Sequence, residues 1–182
     1  MVTLTTESQL RVVLSSVGDI SISAIETNAV PLSSLFPTSL YSLIDRFISR
    51  SAPNFRVFVS SEPTKPSLFT KHKTSRRKHY NNLRAKLPFK KDHTGFPEVL
   101  LFNCRNEIME GSICTPYFLR GGHWITPHVS CGGNVGTTRR YALEHGLCKE
   151  GIVLKDSIRI GELVVLSNGV RGFGCGIVEN LP

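Results

Sequence analysis

Three short segments of this 182-residue chain carry residue types that can do chemistry. The first is FTKHKTSRRKHY, in which Lys71 and Lys73 stand between a predicted strand and a predicted helix. A lysine amine becomes a nucleophile when burial or neighbouring cations lower its pKa. Arg76, Arg77 and Lys78 supply such a field, and no acidic residue occurs from Lys71 to Lys91. The same pattern also fits a solvated basic helix face. It fits a nucleic-acid patch less well, since only Tyr80 and Phe89 interleave as aromatics and no known binding module is visible.

The second segment is MEGSI, which sets Glu110 beside a glycine and ahead of an apolar run. A carboxylate buried there needs a cation or strong donors; the plainer alternative is an exposed turn residue. The third is CGGNVGTTRR, whose glycines precede a helix start. First-turn amides of a helix have no partner inside it and, with the helix dipole, bind phosphate. Thr137 and Thr138 add hydroxyls, and Arg139 or Arg140 adds charge. Alternatively this is a flexible turn with both arginines solvated. An activated lysine, a carboxylate and a phosphate cradle together make the set that pyridoxal phosphate requires.

The elements that must position these groups are legible in outline. Leu10–Ser15 and Ile20–Ile25 read as strands of a hairpin turned at Val17-Gly18-Asp19. Apolar residues at helical spacing after Pro37 predict a helix from about Ser39 to Ser49, and Ser51–Asn54 is a linker candidate. Phe55–Ser60 reads as a strand. A helix is predicted over Thr74–Leu87, capped by Thr74 or Ser75. Strands follow near Glu98–Phe102, Ser112–Leu119 and His123–Ile125. A helix over Thr137–His145 stops at Gly146, and strands close the chain at Leu163–Leu166 and Gly174–Val178. The mixture predicts an α+β or mixed α/β fold.

Composition excludes several classes. Hydrophobic residues are 40% and charged residues 20%, which fits a folded chain with a real core. No apolar run reaches the length of a membrane span, and the N-terminus lacks the pattern of a signal peptide. Five cysteines without a Cys-x-x-Cys pair, and histidines without metal-ligand spacing, speak against a disulfide framework or a metal site. A reducing, cytoplasmic setting is expected. The net charge of +8 suits anionic ligands.

FTKHKTSRRKHYNNLRAKL, NCRNEIMEGSICTPYFL, ITPHVSCGGNVGTTRRYALEHG and VVLSNGVRGFGCGIV occur in the order found in class IV (fold type IV) pyridoxal-phosphate enzymes, and the chain resembles that family. VFVSSEPTKPSLFTKHKTSRRKHY is especially similar to the fungal 4-amino-4-deoxychorismate lyases. The resemblance implies pyridoxal 5'-phosphate as cofactor. It makes Lys73, rather than Lys71, the Schiff-base lysine and the catalytic acid and base. Glu110 becomes the partner of the pyridine nitrogen, and Thr137 and Thr138 the phosphate-binding positions. Ser167 and Asn168 become the turn that closes the cofactor site. It further implies a small anionic substrate, a homodimer for the full-length enzyme, and no nucleic-acid or membrane partner.

Family members usually carry a complete small N-terminal domain with a phosphate-binding arginine, and none of Arg11, Arg46 or Arg50 sits in a matching motif. Residues 1–53 are therefore expected to be a remnant of that domain, and 54–182 the cofactor-binding C-terminal domain. The chain is expected to be truncated. Cys114 and Pro116 replace a Ser/Thr-Asn pair usual after Glu-Gly-Ser. Three functions are carried forward: a lyase making 4-aminobenzoate and pyruvate for folate synthesis, a class IV aminotransferase of branched-chain or D-amino acids, and a non-catalytic fragment or basic binding module.

Overall fold

The computed structural model describes residues 8–50, 55–87 and 95–179. The chain divides after Pro31 into two compact units. The first holds an antiparallel hairpin of β1 (Ser8–Leu14) and β2 (Ile20–Glu26). Its register sets Leu10 against Ala24, Val12 against Ile22 and Leu14 against Ile20. Side chains alternate along a strand, so these six share one face of the ribbon, and all but Ala24 are large apolar side chains at least half exposed.

The second unit begins with α1 (Leu32–Leu35) and α2 (Tyr41–Arg50), followed by β3 (Phe55–Val59), α3 (Leu68–Lys71) and α4 (Lys78–Ala85). Then come β4 (Phe96–Phe102), β5 (Ile108–Gly111), β6 (Thr115–Arg120) and β7 (His123–Pro127). The last elements are α5 (Thr137–Glu144), β8 (Lys149–Gly151), β9 (Leu163–Asn168) and β10 (Gly172–Val178). The strands from β3 onward form one eight-stranded sheet in the order β5-β4-β3-β10-β9-β6-β7-β8. Three neighbour pairs are parallel, β4 with β3, β3 with β10 and β7 with β8, and the others are antiparallel. The sheet curls far enough to bring β5 near β6 and β7. The architecture is mixed α/β, as expected.

Period-2 alternation distributes the core. Phe55, Val57, Leu100, Phe102, Val164 and Leu166 point into the curl of the sheet. From the opposite faces of β3 and β4, Phe58, Val99 and Leu101 meet Tyr80, Leu83 and Leu87 of the α4 region. Leu40 and Leu43 pack with Trp124, Val165 and Phe173 in a third cluster. For that reason the compact division lies upstream of the 53/54 boundary expected from the sequence.

Two expected elements differ. The helix anticipated from Thr74 starts only at Lys78, and its N-cap, Arg77, makes no side-chain cap bond. Arg77 is instead drawn out of the helix by its bond to the Ser112 carbonyl and its stacking over the Tyr80 ring, 4.6 Å to the centroid. The strand anticipated over Ser112–Leu119 begins only at Thr115. Residues 112–114 turn instead: the Gly111 amide donates to the Cys114 carbonyl (2.8 Å), the buried Glu98 side chain accepts the amides of Ser112 (2.8 Å) and Ile113 (3.2 Å), and the Ser112 amide also reaches the Val99 carbonyl (2.9 Å). The short α3, β5 and β8 were not anticipated; the Lys-Glu-Gly of β8 carries no strand signal. The linker candidate Ser51–Asn54, and Phe89, Lys90 and Lys91 of the basic run, lie outside the described residues.

Candidate active site

The lysine segment is seated by its own capping chemistry. Ser67 caps α3: its hydroxyl accepts the Phe69 amide at 3.2 Å, while its own amide donates to Thr70 Oγ1 at 3.0 Å. Thr70, buried, then donates to the carbonyl of Gly132 at 2.7 Å. One turn of helix is thus pinned to the glycine loop, and α3 ends at His72 in an extended conformation. Lys73 follows in the irregular connection before α4 and is exposed on the wall of a cleft.

Glu110 stands on β5, opposite Leu101 of β4. Its Oε1 accepts from the Tyr80 hydroxyl at 2.6 Å and its Oε2 from the Asn134 amide at 3.2 Å. Burial pushes its pKa up to about 7, against the opposing effects of those two bonds and of the Arg77 guanidinium.

The loop before α5 has no room for a side chain at two positions, Gly132 and Gly133. Gly132 is left-handed (φ 99°), and a Cβ there would overlap Pro66; a Cβ on Gly133 would overlap the Met109 carbonyl. The first-turn amides of α5 open beside Thr137 and Thr138. Thr138 Oγ1 accepts from Ser167 Oγ at 2.8 Å, and Ser167, fully buried, also meets the Tyr117 hydroxyl at 2.9 Å. Ser167 therefore backs Thr138. Asn168 shapes its turn by accepting the amides of Val170 and Arg171, and donates to Cys114 Sγ at 3.3 Å.

Lys73, Glu110, Thr137, Thr138, Ser167 and Asn168 all line this one cleft, whose volume is about 380 Å³, a usual size for a small-molecule site. Lys71 lines it too. The arginine charge expected at the start of α5 is directed elsewhere. Arg139 is buried in an ion pair with Glu150 and donates to the Pro127 carbonyl at 3.0 Å, while exposed Arg140 faces Glu144 at 3.9 Å. Nor is the basic run one solvated face: Arg77 holds Ser112, and Arg84 holds the Pro97 carbonyl (3.0 Å) and Ser112 Oγ (2.9 Å). Asn134 was expected to act only through its backbone, and Tyr117 and Glu98 were not anticipated. Only Glu98 had a signal, a lone acid inside the apolar strand FPEVLLF.

The class IV aminotransferase family model matches residues 23–174. This chain belongs to that family. Aminodeoxychorismate lyase of Saccharomyces cerevisiae is 34% identical to it over 194 residues, covering 94% of this chain and 51% of the relative. The chain thus spans about half the length of that curated relative. Among solved structures, a Mesorhizobium loti protein provisionally named an amino-acid aminotransferase superposes with a TM-score of 0.71 at 23% identity, covering 94% of this chain and 73% of the other. The Escherichia coli branched-chain amino acid aminotransferase gives 0.56 at 17% identity, covering 89% and 50%. These two share the fold.

Class IV enzymes depend on pyridoxal phosphate, and the residues present fit that group. The cleft has an amine on its wall, a partly buried carboxylate, and a helix start reached through a loop in which Gly132 and Gly133 leave no space for a Cβ. Among the described residues no helix is long and apolar enough to cross a membrane.

Proposed function

We propose that this chain carries the cofactor site of a class IV lyase that converts 4-amino-4-deoxychorismate to 4-aminobenzoate and pyruvate, a step toward folate. The observation that carries the reading is the convergence of Lys73, Glu110 and the start of α5 on one cleft. The choice of lyase is supported by the likeness to the yeast enzyme along 94% of the chain. Pyridoxal 5'-phosphate, when bound, supplies an electron sink for bond cleavage next to the substrate amine. The protein supplies the rest. Thr137, Thr138 and the first-turn amides of α5 hold the phosphate. Glu110 accepts from the ring nitrogen. Lys73 contributes the amine that bonds the cofactor and moves a proton at Nζ. Asn168 and Ser167 close the wall around Thr138. A homodimeric full-length enzyme and a cytoplasmic setting complete the reading.

The test is covalent trapping. The chain is incubated with pyridoxal phosphate and reduced with borohydride, and the labelled peptide is identified by mass. Label on Lys73, retained in Lys71→Ala and lost in Lys73→Ala, is expected. Label on Lys71, or on neither lysine, overturns the assignment. Incubating the loaded protein with substrate and a 2-oxo acid then separates the chemistries: amino-acid formation without 4-aminobenzoate identifies an aminotransferase instead.

A further inference from the structure

The segment that brings Lys73 to the cleft also brings two residues to bear on Glu110. Arg77 lies over the Tyr80 ring, 4.6 Å from its centroid, and Tyr80, buried on α4, donates its hydroxyl to Glu110 Oε1 at 2.6 Å. A carboxylate can accept about four hydrogen bonds. Among the described residues two of these positions are filled, by the Tyr80 hydroxyl and the Asn134 amide, and both donors stabilise the charged form. Without them a carboxyl in this partly buried place would hold its proton and offer a donor where an acceptor is needed.

We propose that Tyr80 is a positioning residue that favours the ionised form of Glu110, leaving lone pairs for a cationic ring N–H of a ligand in the cleft. This rests on the cofactor reading above only for the identity of that ligand. The stacked guanidinium draws charge from the phenol and strengthens it as a donor. The phenol itself cannot serve as a base, because burial and the neighbouring carboxylate drive its pKa far above the ordinary tyrosine range.

The experiment reads the Glu110 carboxyl directly in the cofactor-free chain, by carbon NMR of glutamate labelled at the side-chain carboxyl, with the resonance assigned through Glu110→Gln. Tyr80→Phe keeps the ring and its packing and removes only the donor. The midpoint is expected to rise by about one pH unit, a tenfold increase in proton affinity. Replacing all four tyrosines with 3-fluorotyrosine, a stronger donor, is expected to lower it. An unmoved midpoint in Tyr80→Phe, or a rise with fluorotyrosine, overturns the proposal. Pyridoxal phosphate uptake, followed by absorbance in parallel, is expected to need higher pH in Tyr80→Phe than in the unaltered chain. Uptake with the same pH profile in both also overturns it. Failure of the unaltered chain to take up the cofactor at any pH strikes the cofactor reading, and the NMR midpoint still decides the role of Tyr80.

Discussion

The side-chain amide of Asn134 donates to the carbonyl of Lys71 across 3.0 Å, joining the glycine loop to the segment that carries Lys73. The backbone amide of the same residue serves Glu110. One asparagine thus fixes the spacing between a carboxylate on β5 and the chain leading to Lys73, without its own side chain having to touch a ligand.

Asn134→Ala removes the bond to Lys71 and keeps the amide that serves Glu110. The lost bond is worth about 1 kcal/mol, so pyridoxal phosphate affinity is expected to fall about fivefold. The Glu110 titration midpoint is expected to stay in place. Unchanged affinity in an absorbance titration would remove Asn134 from the positioning of Lys73.

Glu110 makes folding stability depend on pH. Its pKa is about 7 in the folded chain, against an ordinary value of 4.5. The folded state binds this proton more tightly, so the contribution is fully present below about pH 4.5 and is lost as pH rises toward 7. Its full span is about 3 kcal/mol. Urea midpoints measured at pH 5 and pH 8 are expected to fall with pH in the native chain, and to fall less in Glu110→Gln. Equal slopes in the two proteins would show that Glu110 titrates normally.

Glu98 is completely buried and accepts from the Val99, Ser112 and Ile113 amides and the Ser112 hydroxyl, with Arg84 at 3.7 Å. Glu98→Ala leaves the Val99 and Ile113 amides without this acceptor, while the Ser112 amide keeps the Val99 carbonyl and Arg84 keeps Pro97 and Ser112. The substitution is expected to destabilise the chain by about 3 kcal/mol. Cofactor uptake should fall with it, because Ser112 and Ile113 form a wall of the cleft. A loss below about 1 kcal/mol by chemical denaturation contradicts the structural account.

Local patterns made Lys71, Lys73, Glu110 and Thr137–Thr138 candidates, and only the family resemblance preferred Lys73 to Lys71; the structure places all of them on one cleft. Strand and helix limits followed local signals to within a few residues wherever packing agreed with them. They failed where a distant side chain intervened. Buried Glu98 helps hold residues 112–114 in a turn ahead of β6, and Ser112 and Tyr80 hold Arg77 outside α4. The same distance hid the side-chain bonds of Asn134 and Tyr117, whose partners are far along the chain, and it hid the pairing of Arg139 with Glu150. Charge at the start of α5 was legible; the direction it points was not.

The crowding at Gly132 and Gly133 limits how this protein can diversify. Neither position admits a larger residue without displacing Pro66 or the strand at Met109. Drift in ligand preference must enter elsewhere along the same wall, where Ile113 and Val135 present accessible apolar side chains. Those two sites are the natural place to begin a library aimed at new specificity.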